Sequence, residues 1–199
     1  SIVLGCETDF VGKNESFVSL AHELAELALN FDSKETFLQA DFNGITVAEK
    51  LIEQTGVIGE KLEINTFEKI SAPFVGSYIH AGNKIATLVG LSSVEEGVEV
   101  VAKDVAMQAA AMNPIALNEN EVDASIIEKE IEIAKDQLRA EGKPEAMLEN
   151  IAKGKIKRFF KDNTLVNQAF IKNSKQTVSE YVKTIGDVSV TGFKRVTLG

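Results

Sequence analysis

The stretch that most constrains the fold is His80-Ala81-Gly82-Asn83, where two apolar runs meet. Phe74 to Ile79 leads into it and Lys84 to Leu91 leaves it. A Gly-Asn pair supplies the backbone that a tight hairpin turn requires. So short a connection joins antiparallel strands, because a parallel crossover needs a dozen residues or more. Strands and helices alternate along the rest of the chain, but short hairpins favour antiparallel sheets. The reading is therefore α+β rather than a doubly wound sheet.

The chain before this hairpin reads as one unit. Ser1 to Cys6 is β-branched and apolar, a strand whose neighbour is not evident from the sequence. Its abrupt start suggests a fragment of a longer protein. Asn14 is a good N-cap, and Phe17, Leu20, Leu24, Leu27 and Phe31 follow at alternating spacings of three and four, which marks one buried helical face. His22 lies off that stripe and should face solvent. Thr46-x-x-Glu49 is a capping box opening a helix with Val47, Ala48, Leu51 and Ile52 inward and an end near Gly56. Residues 61–70 alternate as a half-buried strand around Leu62 and Ile64.

A second unit begins at Pro73 with the hairpin. The next helix carries Val98, Val101, Val105, Ala109 and Met112 on one face and stops at Asn113-Pro114. Residues 122–161 are dense in charges of both signs. Ile127, Ile131, Ala134 and Leu138 recur at the spacing of a coiled-coil seam. Gly142-Lys143-Pro144 then breaks the helix, and a second one returns with Leu148, Ala152, Ile156 and Phe159. The expectation is an antiparallel helical hairpin inserted in the second unit. Phe170 and Ile171 form a short apolar patch, Thr177-x-x-Glu180 is a further capping box, and Val188 to Leu198 is the closing strand. The expected organisation is two similar subdomains, 1–72 and 73–121 with 162–199, plus the inserted hairpin 122–161. The first subdomain would lack its first strand.

Composition narrows the chemistry. A net charge of −9 argues against a general nucleic-acid binder. The basic cluster Lys153, Lys155, Lys157 and Arg158 is balanced by acids within the same hairpin and reads as a solvated face. One Cys excludes an internal disulfide and fits a reducing compartment. Cys6 reads as a small buried hydrophobe, with a reactive thiol as the alternative. Two His and one Cys far apart offer no metal-ligand cluster. No apolar run reaches the roughly 18 residues of a membrane span. No metal, cofactor, direct nucleic-acid or membrane partner is expected, and the cytoplasm or an organelle matrix is the default location.

The remaining signal is Cys6-Glu7-Thr8-Asp9-Phe10-Val11-Gly12-Lys13. A turn between strand and helix is exposed, yet Phe10 favours burial. Either Asp9 caps a helical turn and Phe10 folds back onto its own core, or Phe10 projects as an anchor for a partner with Asp9 as a charge beside it.

This octet resembles the signature of the translation elongation factor Ts family, with Thr8-Asp9-Phe10-Val11 as the closest part and Val3, Gly5 and Gly12 departing from it. The similarity continues in Thr55-Gly56-Val57-Ile58-Gly59-Glu60-Lys61, Gly76-Ser77-Tyr78-Ile79-His80, Met112-Asn113-Pro114, the Gly-Lys-Pro turn, Asn167-Gln168-Ala169-Phe170-Ile171 and Val190-Thr191-Gly192-Phe193. The resemblance implies two α+β subdomains, the second carrying a helical hairpin. It also implies an N-terminal helical module and a first strand, the latter a partner for Ser1 to Cys6, which are not in this sequence. The implied function is guanine-nucleotide exchange on elongation factor Tu, promoting GDP release. By the same carry-over Thr8, Asp9, Phe10, Val11, Ile58, Gly59, His80 and Ile171 would contact that partner. Phe10 would wedge between the partner's helices while Asp9 disturbs its magnesium and phosphate sites. Self-association as a homodimer through the second subdomain is also implied.

Each contact has a plainer reading. Gly59 can serve only a turn, Ile171 can be core, and His80 can cap its own hairpin. The sequence has no phosphate loop, nucleophile elbow or ligand cluster, so an acid–base enzyme using Asp9 or Glu7 with His80 is not expected. The alternative function is a coiled-coil scaffold or interaction module without exchange activity.

Overall fold

The computed structural model describes residues 1–198. In chain order it runs β1 (Ile2–Gly5), α1 (Asp9–Gly12), α2 (Glu15–Ala28), α3 (Lys34–Leu38), β2 (Asp41–Phe42), β3 (Ile45–Thr46), α4 (Val47–Ile58) and β4 (Glu63–Phe67). There follow β5 (Phe74–Ile79), β6 (Ile85–Leu91), α5 (Val98–Met112), α6 (Ala124–Ala140), α7 (Glu145–Asn163), β7 (Ala169–Phe170), β8 (Asn173–Thr177), α8 (Val178–Val182) and β9 (Val190–Thr197). The sheets are small and antiparallel, which makes the fold α+β. They pair β1 with β4, β2 with β3 and β7 with β8, and the three-stranded sheet has β6 between β5 and β9. Leu198 N–H donates to Lys84 C=O, and Ser92 N–H donates to Ser189 C=O, so β6 and β9 run antiparallel.

Two compact units emerge: Ser1–Ile70 with Ile79–Leu88 and Lys194–Gly199, and Ser71–Tyr78 with Val89–Phe193. In the first, the apolar stripe of α2 supplies Phe17, Leu20 and Leu24, which close over Phe37, Val47, Leu51, Leu62 and Ile64. Asn14 caps α2, its side chain accepting from Ser16 N–H, as its position predicted. The strand without an evident neighbour has one: β1 pairs with β4, Ile2 opposite Phe67 and Gly5 opposite Glu63. An overlooked hairpin joins β2 to β3 through Asn43-Gly44, both in the left-handed region. That dipeptide is a strong local hairpin signal, but strands of two residues each give no alternation to notice.

Two expectations about helix faces are corrected. Ile52 is 72% exposed rather than inward, because it sits beside Leu51 and one residue rotates the helix by about 100°. The capping box of Thr46 and Glu49 is present, but α4 continues through Gly56 to Ile58 and ends on Gly59 at φ 81°. Met112 is likewise exposed, lying in the last turn of α5 where the buried stripe has run out.

In the second unit α5 buries Val101, Ala102, Val105 and Ala109 against Val89, Leu91, Leu117, Leu165 and Val178. The approach of β5 to this helix depends on Gly76. A Cβ at that position would stand 2.9 Å from the carbonyl carbon of Ala102, a backbone atom that cannot swing aside. Gly76→Ala is therefore expected to destabilise the chain by about 1–3 kcal/mol, read as a lower denaturant midpoint at unchanged slope. An unchanged midpoint would refute the close approach. Further on, α6 and α7 pack together through Ala134, Leu138, Leu148, Ala152 and Ile156. Their turn is a Schellman motif, with Lys143 N–H donating to Leu138 C=O and Gly142 N–H to Arg139 C=O. Across it, Arg139 Nη2 meets Glu145 Oε1 at 2.9 Å and Lys135 Nζ meets Glu149 Oε2 at 3.0 Å.

Candidate functional site

The octet folds as a strand end, a bend and one turn of helix. Thr8, not Asp9, is the N-cap of α1: its backbone is extended and its Oγ1 accepts from Val11 N–H at 3.4 Å. Asp9 therefore occupies the first helical position, where its charge suits the helix N-terminus. Val11 packs against the core of the first unit. Phe10, the preceding residue, is turned away from that core and stands 90% exposed. The fold-back reading of Phe10 is thereby excluded. The Asp9 carboxylate is exposed too, with Lys84 Nζ at 3.9 Å as a loose counter-charge.

A single helical turn does not hold itself, and this one is held from residues 60 and 61. The Glu60 carboxylate accepts from Glu7 N–H at 3.0 Å, from Thr8 N–H at 2.9 Å and from the Thr8 hydroxyl. In return Glu7 Oε1 accepts from Lys61 N–H at 3.3 Å. Glu60 reaches this position because α4 ends abruptly: Gly59 N–H donates to Thr55 C=O, and Leu62 N–H donates to Thr55 Oγ1. Gly59 does serve a turn, as the plainer reading held. Ile58 is half-buried against the core. The folding thus brings Thr8–Val11 beside Ile58–Gly59, two segments far apart in sequence. Glu60 carries this arrangement, and no periodicity singled it out.

The hydrogen bond from the Thr8 hydroxyl, with those from the Thr8 and Glu7 amides, holds the Glu60 carboxyl below its ordinary value of 4.5. A carboxyl lowered on folding contributes stability that is present above its unfolded pKa and lost as pH falls through the folded value. The clasp is thus expected to be intact above about pH 4.5 and to loosen below it. A carbon-13 titration of the Glu60 carboxyl checks this: its midpoint should lie below the ordinary glutamate value of 4.5. Cys6 is half-buried, and its thiol donates to Thr8 C=O at 3.3 Å. Burial first, then the nearby Glu60 charge, pushes its pKa up, which keeps it a thiol rather than a reactive thiolate.

His80 is exposed, and its backbone closes the hairpin. Its N–H donates to Ile85 C=O at 2.8 Å and its C=O accepts from Asn83 N–H at 3.0 Å.

Ile171 belongs to the second unit, at the tip of the β7–β8 hairpin, and is 50% exposed rather than core. Its neighbour Phe170 is buried and stacks on Tyr181 with ring centroids 3.9 Å apart. Beneath the tip, fully buried Gln108 donates to Gln168 Oε1 and Ala169 C=O, while its Oε1 accepts from Ile171 N–H at 2.8 Å. Asp104 accepts from Lys172 Nζ at 2.6 Å and from the Tyr181 hydroxyl at 2.7 Å. Burial and the Asp104 carboxylate push Tyr181 up to about 12. Gln108 was legible in principle, since it falls on the stripe of Val101, Val105 and Met112 and is polar there.

Among the described residues no three His, Cys, Asp or Glu side chains group to hold a metal ion. No helix there is long and apolar enough to cross a membrane.

The chain is similar in sequence to proteins of one family. The family pattern described as elongation factor TS matches residues 7–199. The chain is 70% identical over 199 residues to elongation factor Ts of Flavobacterium psychrophilum, covering all of this chain and 73% of that protein. It is 64% identical to elongation factor Ts of Christiangramia forsetii with the same coverage. To elongation factor Ts of Amoebophilus asiaticus it is 48% identical over 202 residues, covering all of this chain and 73% of that protein.

Proposed function

Because the chain belongs to the elongation factor Ts family, we propose that it is a guanine-nucleotide exchange factor that binds elongation factor Tu and promotes GDP release during translation elongation. The observation that carries this reading is Phe10, an aromatic ring held out in solvent at 90% exposure on an ordered turn. An exposed aromatic on a fixed backbone is the form of a binding anchor, and it gains most when it fills an apolar pocket. Asp9 rides on the same turn, so docking of Phe10 delivers a carboxylate beside it. In the partner that charge disturbs the magnesium and phosphate sites. Mg²⁺ keeps few protein ligands and neutralises phosphate charge, so its displacement weakens nucleotide binding.

Exchange then follows from reciprocity: a factor that weakens GDP binding is itself weakened by GDP to the same degree. GDP leaves a ternary complex, and the incoming nucleotide expels the factor. No bond is made or broken by this chain, so it acts as a binding factor and not as an enzyme. Thr8 and Val11 flank the anchor, Ile58, Gly59 and His80 add contacts from the first unit, and Ile171 contacts the partner from the second. The exposure of Ile171 and the ordering of its hairpin by Gln108 support its inclusion. In this reading the chain carries two subdomains facing the partner, the second able to self-associate, and the site of action is the cytoplasm.

One observation favours the scaffold reading: Ile126, Ile133 and Met147 are exposed on the α6–α7 pair. Stopped-flow release of fluorescent GDP from elongation factor Tu separates the two. The exchange reading expects release to accelerate with added chain until it saturates. Binding without acceleration would leave the scaffold reading standing alone.

A further inference from the structure

We propose that Glu60 is a positioning residue for exchange: its carboxylate clasps Glu7 and Thr8 and so presets the turn that projects Phe10. The inference rests on the exchange reading above, but its geometry stands independently.

Three features of the clasp support this role. First, the α1 turn has only four residues and buries none of them, so packing alone leaves it poorly fixed. Second, Glu60 accepts from three donors on two consecutive residues, Glu7 N–H, Thr8 N–H and the Thr8 hydroxyl. Because that hydroxyl proton is committed to Glu60, a lone pair on Thr8 Oγ1 stays available to cap α1 through Val11 N–H. The clasp and the helix cap are therefore coupled through one oxygen atom. Third, Glu7 returns a bond to Lys61 N–H, so the two segments are joined in both directions. The turn that carries Phe10 is consequently tied to the end of α4.

A residue that presets a binding conformation acts on the competent fraction of the free protein, and apparent affinity falls in proportion to that fraction. Loss of the clasp should weaken engagement without altering what the bound Phe10 does. This gives a kinetic signature that separates positioning from direct contact.

The test compares the full chain with Glu60→Ala, Glu60→Gln and Phe10→Ala, using fluorescent GDP release from elongation factor Tu at increasing chain concentration. Glu60→Ala is expected to raise the half-saturating concentration about tenfold, with the maximal release rate unchanged. Glu60→Gln keeps one oxygen for the two amides and should fall between it and the parent. Phe10→Ala should lower the maximal rate itself. Amide hydrogen exchange on the free proteins supplies a readout without the partner: Glu7, Thr8 and Val11 should exchange about tenfold faster in Glu60→Ala, while Leu24 and Leu51 remain protected. Protection lost at Leu24 and Leu51 as well would reveal a general stability role and overturn the proposal, as would unchanged exchange at residues 7–11. A lowered maximal rate with unchanged half-saturation would make Glu60 a contact residue, again overturning it. If the parent itself does not accelerate release, the exchange reading fails while the amide data still decide the clasp.

Discussion

Phe10→Ala will slow chain-stimulated GDP release about 30-fold or more, equivalent to roughly 2 kcal/mol, and leave the melting temperature almost where it was. Both halves follow from one number, the 90% exposure of the ring. A side chain already in water contributes almost no burial to folding, and surface substitutions usually shift stability by less than about 0.5 kcal/mol. Its apolar area is therefore available to a partner. Thr8 and Val11 keep their backbone bonds when the ring is removed, since none of those bonds involves the Phe10 side chain. Stopped-flow release and thermal melting of the same preparation check the pair. A large fall in melting temperature would mean that the ring packs on its own core in solution.

Phe37→Ala will do the reverse. Phe37 is fully buried, with Phe31 at 6.0 Å and Phe67 at 5.6 Å between ring centroids. Truncating such a side chain removes its transfer energy and leaves a cavity, typically costing about 3–5 kcal/mol. For a chain of this size that is a fall of roughly 6–20 °C in melting temperature. Below the lowered transition, release of GDP should approach the parent's, because Phe10 stands in solvent and the Glu60 clasp is made by hydrogen bonds to Glu7 and Thr8. Circular dichroism melting followed by release assays at low temperature tests both. Together the two alanines separate an aromatic used for folding from one kept for a partner.

Hydrophobic pattern alone does not distinguish these two phenylalanines. In the sequence Phe10 fits a ring folded back onto the core as well as one projecting outward, since each is flanked by the same residues. What separates them is rotation about a single helical turn: once Thr8 is the cap, Val11 points in and Phe10 points out. Assigning the cap to Asp9 instead, as its residue type suggests, shifts the turn by one residue. The outcome was settled by Glu60, whose bonds to Glu7 and Thr8 hold Thr8 in the extended cap conformation.

Several features were determined by the sequence itself, and all are local. Asn14, Thr46 and Thr177 each satisfy amides within three residues. The His80–Asn83 turn closes within its own hairpin, and the stripe of α2 needs only its own period to define a buried face. Such signals are legible because donor and acceptor, or ridge and ridge, lie within one or two turns of chain. Tertiary structure alone decided the pairing of β1 with β4, the grip of Gln108 on the Ile171 hairpin, 63 residues away, and the clasp of Glu60 on Thr8, 52 residues away. Those encounters carry no repeat in the sequence. They form only after burial of the apolar faces has fixed the backbone, because a polar side chain pairs with whichever donors the packed core leaves within its reach.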